Sequence, residues 1–141
     1  MISTSISMKW AEGLRFEGVS AFGHPIATDV SRAGGGTESG YKPSELVLFG
    51  LAGCTGVDVV RILKKMQQNV SGIEIQVTAH QNDEYPKPFH TVDVKFIVTG
   101  ESLEPEKVAR AIALSEEKYC LVSQTIQSQG KVISSFEVRE R

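Results

Sequence analysis

One long apolar helix constrains this chain more than any other feature. Pro43, followed by Ser44 and Glu45, has the layout of a first helical turn and predicts a helix over residues 43 to about 68. Its first half, Glu45-Leu46-Val47-Leu48-Phe49-Gly50-Leu51-Ala52-Gly53-Cys54-Thr55-Gly56, is apolar almost all round and so demands burial on most sides. The second half, Arg61-Ile62-Leu63-Lys64-Lys65-Met66-Gln67-Gln68, is amphipathic and ends in cations, where the helix dipole favours them. A chain of 141 residues reads as one domain over 1–141, large enough for a core. Covering the whole circumference of such a helix from so small a domain is hard, and a second copy is the simplest cover. The expectation is an obligate homodimer, with intertwined N-terminal strands.

The remaining elements predict segregated α+β rather than alternating βαβ. Residues 2–10, 14–20 and 24–30 read as short strands separated by Glu12-Gly13 and Gly23-His24-Pro25 turns. A glycine-rich loop over 31–42 precedes the helix. Two alternating strands follow over 73–81 and 91–99, with Ile73, Ile75 and Val77 on one and Val92, Val94, Phe96 and Val98 on the other. Leu103-Glu104-Pro105-Glu106 opens a second helix, a third covers 119–129, and 132–139 closes the chain as a strand. The expected fold is antiparallel sheets around a long buried central helix.

Charge and composition narrow the function classes. The net charge is −2 with no Lys/Arg block, which argues against nucleic acid as a partner. No unbroken apolar run reaches the ~18 residues expected of a bilayer span, so no membrane is expected. The N-terminus lacks the basic-then-apolar layout of a secretion signal, which makes the cytoplasm the expected location. In that reducing compartment two cysteines are either inert core residues or a transient redox pair, not a permanent staple.

The two cysteines sit in unlike sequence surroundings. Cys54 lies among Gly50, Gly53 and Gly56, where little side-chain bulk shields a thiol. It is about three turns into its helix, away from the N-terminal amides, and apolar surroundings alone disfavour a thiolate. A reactive Cys54 therefore requires a cation from elsewhere, and Arg15, Arg32 and Arg61 are the candidates. Asp58, one turn on, shares the Cys54 face and is placed to orient such an arginine. Cys120 stands in a polar stretch, Glu116-Glu117-Lys118-Tyr119-Cys120, with Ser123 after it, and suits a resolving thiol. The alternative for each is an ordinary structural cysteine.

Pro43-Ser44-Glu45-Leu46, Gly53-Cys54-Thr55-Gly56-x-Asp58-Val59 with Leu63-Lys64-Lys65-Met66 after it, and Lys118-Tyr119-Cys120-Leu121-Val122-Ser123 together resemble the OsmC/Ohr family, closest to its small OsmC-like branch. The likeness covers nearly the whole chain and includes the strand and helix order. It implies a thiol-dependent peroxidase that reduces organic hydroperoxides, an antioxidant of the oxidative stress response with no cofactor and no metal. It also implies an intertwined homodimer with interfacial active sites, Cys54 as peroxidatic thiol and Cys120 as resolving thiol. An external dithiol would reduce the resulting disulfide. In the family an arginine holds the thiolate and a glutamate holds the arginine. Arg32, at a strand end before the loop, matches the OsmC-type placement and is preferred, and Arg15 resembles the Ohr-type placement. Glu45 is the candidate glutamate, although Ser44 occupies the family position and Glu45 follows it, rotated by about 100° on a helix. Leu121 likewise stands where the family has proline. Those departures support the alternative of a non-catalytic or small-ligand-binding dimer that has lost peroxidase activity. An apolar lining from Val47, Leu48 and Leu51, with residues of the second copy such as Phe89, would favour alkyl or lipid hydroperoxides over hydrogen peroxide.

Three other signals carry less. Tyr41 separates Gly40 from Lys42, so the loop lacks the adjacent Gly-Lys of a phosphate-binding P-loop. Ala52 stands where a nucleophile elbow around Cys54 needs glycine. His24, His80 and His90 have no metal-ligand spacing.

Overall fold

Period-two alternation decides the larger sheet. The computed structural model describes all residues from Met1 to Arg141. Strands β4 (Asn69–His80), β5 (Thr91–Glu101) and β6 (Lys131–Glu140) form a sheet with β5 in the centre. Register sets Ile75 beside Phe96 and Phe96 beside Phe136, and likewise Ile73, Val98 and Val138 in one row. The same face therefore carries apolar side chains on all three strands, while Glu74, Lys95 and Glu137 fall on the other. Val92, Val94, Phe96 and Val98 are almost wholly buried, each such side chain contributing roughly 1.5–3 kcal/mol over an exposed one.

The β4–β5 pair is antiparallel, as alternation predicts, but β5 and β6 run parallel. Expecting antiparallel pairing throughout thus needs one correction. Helices α2 (Pro105–Leu114) and α3 (Leu121–Gln127), joined by a π-helical turn at Ser115–Tyr119, lie between β5 and β6. A crossover of that length returns the chain to the same end of the sheet, which a hairpin cannot do.

Helix α1 (Pro43–Lys65) buries a single stripe, not its circumference. Leu51, Thr55, Val59 and Leu63 recur every fourth residue and are buried, with Leu48, Cys54, Ile62 and Met66 packed beside them. Val47, Phe49, Val57 and Val60 remain exposed. The 23-residue helix is long and apolar enough on average to cross a membrane, because Asp58 and Arg61 are diluted by their neighbours. The Leu51–Leu63 stripe nevertheless lies in a protein core, shared with Phe96, Val108 and Ile112.

The chain divides into two compact units, Met1–Val47 and Leu48–Arg141. The first holds an antiparallel sheet of β1 (Met8–Glu12), β2 (Arg15–Val19) and β3 (Pro25–Thr28), then a 3-10 turn at Arg32–Gly34 and the start of α1. Met1–Ser7, expected to be part of the first strand, has no partner strand and is irregular. Its Ile2 and Ile6 are exposed, as are Trp10, Phe16, Val19 and Phe22. In this unit the buried residues are Thr28 and Asp29, both polar.

Candidate functional site

Cys120 is fully buried and Cys54 half-buried, the reverse of what their sequence neighbourhoods suggest. Cys54 lies at the edge of the α1 stripe, with Gly53 exposed before it. Cys120 caps α3: it is extended, at φ −80° and ψ 106°, and its Sγ accepts from the Ser123 amide at 3.4 Å. The cap turns the sulfur inward and sends its neighbours Tyr119 and Leu121 out to solvent. Polar neighbours in sequence misled because a cap position reverses which side chains face the core.

The two thiols border the same apolar core, and Cys54 is near enough to bear on the titration of Cys120. Burial pushes the Cys120 thiol up to about 11, and its hydrogen bond with Cys54 adds to the rise against the lowering from the Ser123 amide. Near neutral pH Cys120 is therefore a protonated thiol.

A polar chain runs beside the sulfurs. Thr55 Oγ1 lies 2.8 Å from Ser115 Oγ, and Ser115 donates to Asp58 Oδ2 at 2.8 Å. Asp58, which the sequence places to orient an arginine, accepts instead from this serine. No sequence signal pointed to Ser115, because the contacts join residues 57 and 60 positions apart.

Arg15, Arg32 and Glu45 belong to the N-terminal unit. Asp29 organises that unit's loop, accepting from the amides of Val30, Thr37 and Ser39 and from the hydroxyls of Thr37 and Ser39. These donors, Ser39 foremost, hold its carboxyl far below the usual range. Gly36 and Gly40 permit the close packing, since a Cβ at Gly40 would stand 2.6 Å from the Ala27 carbonyl and one at Gly36 2.7 Å from Asp29 Oδ1. The loop in turn holds both candidate arginines. Arg15 donates to Glu17 Oε2, at 3.1 Å from Nε and 3.0 Å from Nη2, and to the Ser39 carbonyl. Arg32 donates to Glu38 through its backbone amide at 2.9 Å and through Nη1 at 3.0 Å. Glu45 serves its own helix, its Oε1 accepting from the Lys42 amide at 3.3 Å in the manner of a capping box. Each arginine thus has a local carboxylate, and neither of those carboxylates is Glu45.

The fold and the paired thiols together define a class: two-sulfur α+β proteins built on one long central helix. The family model for OsmC-like protein matches residues 35–135, and the chain belongs to that family. Protein YhfA of Escherichia coli (strain K12) is 40% identical over 131 residues, covering 93% of this chain and 95% of its own. A crystal structure of a hypothetical protein from Aquifex aeolicus VF5 is 27% identical with a TM-score of 0.87, covering 100% of this chain and 99% of its own. The organic hydroperoxide resistance protein OhrB of Bacillus subtilis shares the fold, with a TM-score of 0.64 at 19% identity over 95% of this chain and 98% of its own.

Proposed function

We propose that the protein is a thiol-dependent peroxidase that reduces organic hydroperoxides through Cys54 and Cys120. The observation that carries this reading is the pair of free thiols at one apolar core, a buried Cys120 and a half-buried Cys54. Family membership and the shared fold of OhrB, a protein named for organic hydroperoxide resistance, support it. Cys54, as thiolate, attacks the outer peroxide oxygen; the O–O bond breaks, the alcohol leaves with a proton, and Cys54 becomes a sulfenic acid. The Cys120 thiol then displaces the sulfenic oxygen as water and closes the disulfide. An external dithiol restores both thiols and leaves as its own disulfide. That cycle suits a cytoplasmic location, where thiols are kept reduced.

Stabilising the Cys54 thiolate and the developing negative charge on oxygen calls for a guanidinium. Arg32, braced by Glu38, is the first candidate, and Arg15, braced by Glu17, the second. Glu45 acts by fixing the start of the helix that bears Cys54. The working form in this reading is a homodimer. The exposed Val57 and Val60 of α1 line a groove of about 480 Å³ with Ala52, Ile73 and Ile75. The N-terminal unit has no buried apolar side chain of its own, and a piece of this size needs further cover. Light scattering should return twice the chain mass.

The direct test adds cumene hydroperoxide, titrates free thiols and follows the products by non-reducing mass spectrometry. Loss of two thiols with an intramolecular Cys54–Cys120 bridge is expected, and Cys54→Ser should abolish turnover. Full turnover in Cys54→Ser would refute the assignment. The capping role of Glu45 favours a second reading, a ligand-binding dimer without peroxidase activity, and thiols that persist in millimolar peroxide would select it.

A further inference from the structure

Ser115 is wholly buried and uses both of its polar ends. Its hydroxyl donates to Asp58 Oδ2 at 2.8 Å and stands 2.8 Å from Thr55 Oγ1. A carboxylate only accepts, so the Ser115 proton is committed to Asp58 and the Thr55 hydroxyl must donate to Ser115. The order Thr55 to Ser115 to Asp58 follows, with no freedom to invert while Asp58 is ionised. The other end of the residue is its carbonyl, which accepts from the Cys120 amide at 2.8 Å. That bond closes the π-helical turn Ser115–Tyr119, a backbone form common at functional positions. Thr55 follows Cys54 directly on α1. One residue is therefore tied by its hydroxyl to the helix turn bearing Cys54, and by its carbonyl to the backbone of Cys120.

We propose that Ser115 is a positioning residue that ties the helix turn bearing Cys54 to the backbone of Cys120 and so sets how fast and how completely a disulfide forms between them. For its physiological oxidant this rests on the peroxidase reading; the geometric claim concerns the thiol pair alone. In the closing step the Cys120 S–H bond breaks, an S–S bond forms to Cys54, and the sulfenic oxygen departs as water. Without the Ser115 hydroxyl, α1 loses its polar tie to the π-helical turn. The sulfurs would then sample a wider range of separations, and a displacement near 1 Å costs on the order of 100-fold in a proximity-driven step.

Two measurements separate this claim from the peroxidase reading. The first equilibrates the protein in glutathione redox buffers and quantifies dithiol against disulfide, which requires no peroxide. Ser115→Ala should lower the effective concentration of the pair by roughly 10-fold or more. Thr55→Val, which removes the donor and keeps the shape, should act in the same direction. Asp58→Asn keeps an acceptor oxygen for Ser115 and should stay near the parent protein. The second adds hydroperoxide with dimedone present, and Ser115→Ala should shift product from the Cys54–Cys120 bridge to dimedone-capped Cys54. A purely structural Ser115 would lower the melting temperature and leave both that partition and the glutathione equilibrium unchanged, overturning the proposal. Should Ser115→Ala fail to fold, Thr55→Val decides the matter by the same readouts. If the parent closes its disulfide in glutathione but ignores hydroperoxide, the peroxidase reading fails and the Ser115 claim stands on the equilibrium alone.

Discussion

The two units of this chain are held together by opposite means. From Leu48 to Arg141, a sheet and helices enclose a core of aliphatic and aromatic side chains around Phe96, Val59 and Leu63. From Met1 to Val47 the buried residues are Thr28 and Asp29, and order comes from five donors converging on one carboxylate. Apolar burial is non-directional, scales with area and does not depend on charge. A hydrogen-bonded carboxylate is directional and depends on its charge. The thiol pair sits in the first kind of structure and both candidate arginines in the second. The sulfurs are therefore placed by a packed core with the buried Ser115 tie inside it, and the cations by exposed polar contacts that solution conditions can undo.

The largest expected effect breaks the packed side of that comparison. Phe96 is 1% exposed at the centre of the sheet, and Phe96→Ala should cost about 3–5 kcal/mol, read from denaturant unfolding. The Asp29 network should survive in the folded fraction. A change below 1 kcal/mol would show that the core repacks around the gap and that the contrast between the units is overstated.

Asp29→Ala attacks the other side. It removes the acceptor shared by Val30, Thr37 and Ser39, and with it the frame that places Arg15 on the Ser39 carbonyl and Arg32 on Glu38. Amide exchange should rise across residues 29–41 while the exchange of β5 stays slow. Equal acceleration in both units would mean that they unfold together.

Sequence periodicity made most of this fold legible. The rows through Ile75, Phe96 and Phe136 follow from alternation, and the α1 stripe follows from apolar residues at helical spacing. Family membership and the α+β fold were likewise readable from the residues around Cys54 and Cys120. What stayed hidden depends on contacts distant in the chain or on cap geometry. The burial of Cys120 comes from its φ and ψ as a helix cap, which hydropathy does not register. The parallel β6 depends on where a crossover lands. Ser115 meets Thr55 and Asp58 only after the helices pack, and Asp29 gathers donors that lie up to ten residues away. The i, i+4 spacing puts Asp58 on the Cys54 face, but a face does not specify the partner.

The smallest effects sharpen the comparison through pH, and their signs are opposite. Asp29 has its folded carboxyl held below its ordinary value of 3.8 by the Ser39 and Thr37 donors. The unfolded chain therefore takes up the proton first, and the stabilisation, complete above about pH 4, drains away as the solution is acidified further. Cys120 is shifted the other way, from 9.0 to about 11, by burial and by its bond to Cys54. Its folded form keeps the proton longer than its unfolded form, so its stabilisation is complete below pH 9 and is lost between about 9 and 11. Acid should thus loosen the N-terminal unit first, seen as faster proteolysis within residues 29–41, and alkali should weaken the C-terminal unit, seen as a lower denaturant midpoint. Cys120→Ser removes the second dependence and leaves the first, because a serine hydroxyl does not ionise in that range. If the variant still lost stability between pH 9 and 11 to the same extent, the buried thiol would not be the titrating group, and the contrast between a charge-held unit and a packed unit would need another basis.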